Sequence, residues 1–248
     1  MSYIAVNLQH VRDRILAAQA LKPQNPQITG AVQLVAVSKT QPAAVLREAY
    51  AAGQRAFGEN YVQESLDKIC ELADLNIEWH FIGPIQSNKA KPIAQNFAWV
   101  HGVDRLKIAA ALSQHRPTNL PPLQICLQVN VSGEASKGGV APADALALAQ
   151  QVIALPGLCL RGLMTIIENV SDAAVQAQQF ELLASTLADL KLHLDAGRAP
   201  LDTLSMGMSQ DFETAIAAGG NLVRVGSAIF GARAAKVPAQ LGTGESLN

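Results

Sequence analysis

The sequence predicts an α/β protein folded as a (β/α)8 barrel, and three observations predict it. Apolar strand-like runs alternate with helical stretches about eight times, which is the pattern of that fold. The chain of 248 residues has the length typical of such barrels and shows no break in composition that would divide it. The turn after the first strand reads Ser38-Lys39-Thr40-Gln41-Pro42. A doubly wound sheet, the competing architecture, carries Gly-x-Gly-x-x-Gly there. The expected organisation is one domain over 1–248, with an opening helix at 2–21, the barrel at about 32–231 and a flexible tail at 232–248.

Each element has its own signal. Ile4, Leu8, Val11, Ile15 and Ala18 recur at helical spacing, so the chain opens on an amphipathic helix that serves as a lid or buttress and closes before a loop from Pro23 to Gly30. Leu34 to Thr40 is an apolar strand in which Val35, Val37 and Lys39 share one face. Pro42 starts a helix that stops at Gly53. Arg55 to Asn60 is the second strand, and Val62, Leu66, Ile69 and Leu72 mark the helix after it. Glu78 to Gly83 and Phe97 to Gly102 are strands three and four, separated by a short helix over Asn88 to Gln95. Asp104 is the expected N-cap of the next helix, which runs to Gln114. Leu123 to Val131 and Leu158 to Ile167 are strands five and six, with an alanine-rich helix from Pro142 to Leu155 between them. The longest helix, Val175 to Leu194, carries Phe180, Leu183, Leu187 and Leu190 on one stripe. Thr203 to Gly207 is strand seven, followed by a helix capped by Ser209 and ended at Gly219-Gly220. Leu222 to Phe230 is strand eight.

Composition narrows the function classes. Hydrophobic residues make up 49% and charged residues 16%, which describes a packed globular domain. A formal net charge of -1 offers no general attraction to nucleic acid or to an anionic membrane. Cys70, Cys126 and Cys159 are odd in number and widely spaced, which argues against a disulfide framework or a zinc site and fits the cytoplasm. The opening segment is too charged for a signal peptide or membrane span. His10, His101, His115 and His193 lack metal-ligand spacing and read as surface or helix-packing residues. Glu134 and Lys137 read as solvated loop residues.

In a barrel the carboxyl ends of the strands face the active site, and the loops after strands seven and eight commonly bind phosphate. Those positions hold Lys39, Asn60, His80, Asn130, Met164, Ser205 to Gly207 and Arg224 to Ser227. The glycines let backbone N–H groups approach an anion, and the serines add donors. Taken singly, each cluster also fits an ordinary tight turn, and Lys39 also fits a lysine that snorkels from a strand end. Together, a phosphate pocket and a lysine suit a phosphorylated aldehyde held as a Schiff base. A lysine amine of ordinary pKa is neutral in only about one molecule in 10³ at pH 7, and burial beside a cation such as Arg224 favours the nucleophilic form.

Seven strings carry a resemblance: Ala36 to Thr40, Phe57 to Glu64, Trp79 to Lys89, Val129 to Glu134, Gly162 to Thr165, Leu204 to Ser209 and Val223 to Gly231. On these the chain resembles the YggS/PROSC group of pyridoxal 5'-phosphate (PLP) homeostasis proteins, which is similar to the barrel domain of alanine racemase. The resemblance implies a fold-type III PLP-binding barrel with Lys39 as the lysine that bonds PLP. It implies that Ser205, Gly207, Gly226 and Ser227 hold the phosphate and that Arg224 approaches the pyridine nitrogen. Asn60, His80 and Met164 then line the cofactor face. An arginine there makes the ring a weaker electron sink than an aspartate would. The racemases complete their second acid/base position with a tyrosine from a further β-rich domain, which is not expected here. The expectation is therefore a monomeric PLP carrier that acts on PLP homeostasis and amino-acid balance without significant catalysis. PLP-dependent apoenzymes are candidate recipients. A PLP-dependent amino-acid racemase is the alternative, and a Schiff-base aldolase fits the pocket but not the strings.

Overall fold

The computed structural model describes residues 2–21, 30–134, 137–167, 172–195, 197 and 199–231. The expected tail at 232–248 and the expected loop from Pro23 to Gly30, except Gly30 itself, lie outside the described residues. Helix α1 spans Tyr3–Leu21, followed by β1 (Gln33–Val37), α2 (Ala43–Ala51), β2 (Ala56–Glu59), α3 (Val62–Glu71) and β3 (Glu78–Phe81). Next come a 3-10 turn at Ser87–Lys89, α4 (Ala90–Asn96), β4 (Trp99–Val103), α5 (Leu106–His115), β5 (Leu123–Gln128) and α6 (Ala145–Val152). The chain continues through β6 (Leu158–Met164), α7 (Ala173–His193), β7 (Thr203–Ser205), α8 (Phe212–Ala217), β8 (Leu222–Val225) and α9 (Ser227–Phe230). The eight strands form a closed parallel barrel in sequence order, with β8 pairing back onto β1.

Alternation along the strands sorts the side chains into two environments. Outward residues such as Phe57, Phe81 and Leu204 pack beneath the helices in one continuous core, to which α7 contributes Phe180, Leu183, Leu187 and Leu190. Each fully buried side chain of this size stabilises the fold by about 1.5–3 kcal/mol. Helix α1 acts as a buttress across the β8/β1 seam: Ile4, Leu8, Val11 and Ile15 are buried, and the Asn7 amide donates to the Ile229 carbonyl at 2.9 Å. The Arg14 guanidinium lies 4.5 Å from the Phe212 ring centroid and bonds Glu213.

Inside the barrel the filling is different. Val35, Ala56 and Leu222 form one small apolar cluster, and Trp99, Cys126 and Met164 another. Between them lie buried polar groups: His80, His101, Ser205 and Arg224.

Several boundaries depart from expectation. Strand β8 ends at Val225, because Ser227 already opens α9. Helix α8 begins at Phe212 after Asp211, so Ser209 does not cap it. Asp104 does not cap α5, whose N-cap position is Arg105; its carboxylate accepts two bonds from that arginine instead, at 2.6 and 2.8 Å. His101 is fully buried inside the barrel and is not a surface residue.

Candidate functional site

A cavity of about 390 Å3 opens at the carboxyl ends of the strands. That volume lies within the range of small-molecule sites. Lys39, Asn60, Ser209, Arg224, Gly226 and Ser227 line it, with Val37, Ile82 and Phe230 as apolar walls. The loops after β7 and β8 meet here: the Gly226 amide donates to the Ser209 hydroxyl at 3.4 Å, and the Arg224 amide donates to the Gly207 carbonyl at 3.0 Å.

Lys39 sits in a tight turn two residues beyond the end of β1, where Gln41 N–H donates to the Ser38 carbonyl. The residues on either side of it are anchored. The Ser38 hydroxyl donates to Glu59 at 2.6 Å, and the Ser38 carbonyl accepts from Lys68 Nζ at 2.8 Å. Thr40 occupies the left-handed region at φ 66°, and its amide donates to Glu64 at 2.5 Å. Lys68 on α3 joins these anchors, spending its other two donors on Glu59 (2.8 Å) and Glu64 (2.6 Å). A β-branched residue in the left-handed region is strained, so such a turn persists only where its surroundings hold it. Burial raises the Glu59 carboxyl above its ordinary pKa in spite of the attraction of Lys68, and its Oε2 atom has no hydrogen-bond partner among the described residues.

Arg224 reaches the cavity from inside the barrel. Its Nη1 donates to the Ser205 hydroxyl at 2.7 Å and its Nη2 to the Thr165 carbonyl at 2.8 Å. Among the described residues no carboxylate pairs with it within 4 Å. Burial draws the guanidinium down to about 10, so it remains a cation at neutral pH. Behind Ser205 the contacts continue: Ser205 Oγ to His101 Nδ1 at 2.7 Å, His101 Nε2 to His80 Nδ1 at 2.9 Å, and His80 Nε2 to Glu78 at 2.8 Å. Burial holds both imidazoles below their ordinary pKa, and His101 is pushed well below by the further effect of His80 and Arg224. His80 stacks on Trp99 with 5.4 Å between ring centroids.

The structure thus brings Lys39, Asn60, Arg224, Gly226 and Ser227 to one cavity and keeps four other expected site residues out of its lining. His80 and Ser205 lie deeper, in the polar chain behind Arg224. Met164 packs with Trp99 and Cys126. Gly207, at φ 93°, packs on α8, where a Cβ would come within 2.7 Å of the Ala215 methyl. The physical reason is depth: Ser205 is fully buried with its hydroxyl held between Arg224 Nη1 and His101 Nδ1, so it lies beneath the cavity rather than at its rim. Ser209 was missed as a lining residue because it reads as a helix cap. Its hydroxyl, in the loop after strand seven, was the available signal.

The lining suits a small anion that also carries a carbonyl group. It holds two cations, Lys39 and Arg224, one carboxylate, Asp211, and the hydroxyls of Ser209 and Ser227, and Asn60 contributes a buried Oδ1 with no hydrogen-bond partner among the described residues. Fold and cavity together define a (β/α)8 barrel with an amine and a buried guanidinium at its mouth. Residues 6–234 match the alanine racemase N-terminal domain, and the chain belongs to that family. A pyridoxal phosphate homeostasis protein of Pseudomonas aeruginosa is 57% identical over 239 residues, covering 96% of this chain and 100% of the relative. PipY of Synechococcus elongatus, solved with PLP bound, is 39% identical with a TM-score of 0.79, covering 92% of this chain and 100% of that one. Alanine racemase of Corynebacterium glutamicum shares the fold at 21% identity and a TM-score of 0.66, over 93% of this chain and 61% of the racemase.

Proposed function

We propose that this chain binds PLP through Lys39 and serves intracellular PLP homeostasis, holding and releasing the cofactor with little catalysis of its own. The carrying observation is the convergence of Lys39, Arg224 and the Ser209, Gly226 and Ser227 group on one cavity. When bound, PLP supplies an aldehyde and an electron-withdrawing ring. Lys39 Nζ condenses with the aldehyde carbon, forming a C=N bond and releasing one water. Ser209, Ser227 and the Gly226 backbone hold the phosphate, which revises the phosphate set read from the sequence. Arg224 donates toward the pyridine nitrogen, and Asn60 orients the ring.

The weak-catalysis part rests on two features. An arginine at the pyridine nitrogen keeps the ring a poor electron sink. None of Tyr3, Tyr50 and Tyr61 lines the cavity, so none stands ready as a second acid/base group. Relatives that carry the name of PLP homeostasis support the same reading. Monomeric action and transfer of PLP to apoenzymes complete the proposal.

The test is the visible spectrum of the protein beside its Lys39→Ala variant, before and after borohydride. A visible band that reduction fixes covalently in the parent, and that the variant lacks, supports the reading. No band after addition of PLP overturns it. Turnover-dependent exchange of an amino-acid alpha hydrogen in D2O would replace the carrier with a racemase.

A further inference from the structure

The contacts behind Arg224 have an order of donors that can be worked out from their ends. Arg224 is only a donor, so its Nη1–H enters Ser205 Oγ. The Glu78 carboxylate is only an acceptor, and the bond from His80 holds it below its ordinary pKa. His80 therefore carries a proton on Nε2, and because complete burial holds the ring below its ordinary pKa it is neutral, which leaves Nδ1 as an acceptor. His101 must then donate through Nε2, and as a neutral ring it accepts from the Ser205 hydroxyl at Nδ1. A doubly protonated His101 would also satisfy the contacts, but it would bury a second positive charge one serine away from Arg224.

We propose that Glu78, His80, His101 and Ser205 form a donor-ordered relay, running from Arg224 at the cavity to Glu78 at the opposite end of the barrel, that positions the guanidinium for its ligand. Both rings are neutral Nε2–H tautomers. The relay turns a Ser205 lone pair toward Arg224. With Nη1 committed to Ser205 and Nη2 to Thr165, the rest of the donor edge is available to the cavity. Glu78 closes β3 at its amino end, where Gln33 donates to it at 2.9 Å, and its side chain is 41% exposed. The Glu78 carboxylate at the far end of the relay is thus joined to Arg224 through neutral groups, while the Asp211 carboxylate in the cavity lining acts on the guanidinium through space. Trp99 packs against both rings, and the Arg161 guanidinium lies over Trp99. His80, His101 and Ser205 are positioning residues that act through Arg224. The effect on PLP rests on the reading given under Proposed function, whereas the relay itself does not.

The experiment is nitrogen-detected NMR of [15N]histidine-labelled protein, read with and without PLP for the parent, Ser205→Ala and Ser205→Thr. In the PLP-free parent, the His80 and His101 signals should be those of neutral Nε2–H rings from pH 8 down to pH 6. PLP should move the His101 Nδ1 resonance, and Ser205→Ala should abolish that response. The same variant should bind PLP about three- to tenfold more weakly, the loss expected of one hydrogen bond, and Ser205→Thr should restore both readouts. An Nδ1–H tautomer or a charged ring in the PLP-free parent overturns the relay. So does Ser205→Ala that leaves resonance response and affinity unchanged. The tautomer measurement needs no cofactor, so failure of the parent to bind PLP would overturn the functional reading and leave the relay decided on the PLP-free spectra.

Discussion

Two polar clusters approach the cavity from opposite faces of the barrel wall, and they solve the problem of buried polarity differently. Outside the wall, between the strands and α3, Lys68 binds Glu59, Glu64 and the Ser38 carbonyl directly. Inside, Arg224 makes no ion pair among the described residues and is linked to Glu78 through a serine and two imidazoles. The outer cluster can be ionic because the adjacent helix supplies a flexible lysine next to the carboxylates. The interior already holds a buried guanidinium, so a second charge there is excluded and neutral donors fill the gap. One cluster sets a backbone turn through charge, and the other sets a side-chain orientation through hydrogen-bond direction.

Removing the outer cation should have the largest effect. Lys68→Met leaves Glu59 buried without its partner, and a broken buried pair costs about 3–5 kcal/mol, to be read by chemical denaturation. The Lys39 turn should loosen with it, so PLP retention is expected to fall alongside stability. An equal loss from Glu64→Gln would mean that the charge of Glu64, rather than that of Glu59, dominates the outer cluster.

Breaking the inner cluster should cost less, because each link is neutral. His80→Leu removes the acceptor for His101 Nε2–H and should destabilise by about 1–3 kcal/mol in the same assay, with Glu78 rehydrated at the exposed end. A loss as large as that of Lys68→Met would show that the inner chain carries charge after all.

The two clusters should also respond oppositely to pH. Buried His80 and His101 have lowered pKa values, so the unfolded chain takes up protons first as pH drops below about 6.5, and stability falls there. Glu59 has a raised pKa, so its contribution favours the folded state at low pH and is lost as pH rises from its ordinary 4.5 through the raised value. Thermal melts across pH 4.5 to 8 should show the histidine limb, and His101→Leu should flatten it.

The smallest effect is expected at Thr40. Replacing it with glycine relieves a left-handed backbone conformation but adds freedom to the unfolded chain, leaving a net gain of at most about 1 kcal/mol. A slightly higher Tm with weaker PLP retention would show that strain in the turn serves to position Lys39. A lower Tm would show that the turn is not strained.

Much of this was legible in the sequence. Alternating apolar runs marked all eight strands, and strand-end counting placed Lys39, Asn60, Arg224, Gly226 and Ser227 at the cavity. Those signals are local: strand alternation has a fixed period of two, and the barrel's site lies at one end of every strand. What alternation does not encode is depth along the barrel axis, which depends on where each strand ends and on irregularities such as the register shifts near Val100 and Cys126. His80, Ser205 and Met164 therefore share the inward face with the cavity residues but lie in a deeper layer. His101, Ser209 and the Glu59–Lys68 pair acquired their roles only when the barrel closed. A histidine joins a relay, and a lysine clamps a turn 30 residues away, through contacts between strands and helices that no single stretch of sequence contains.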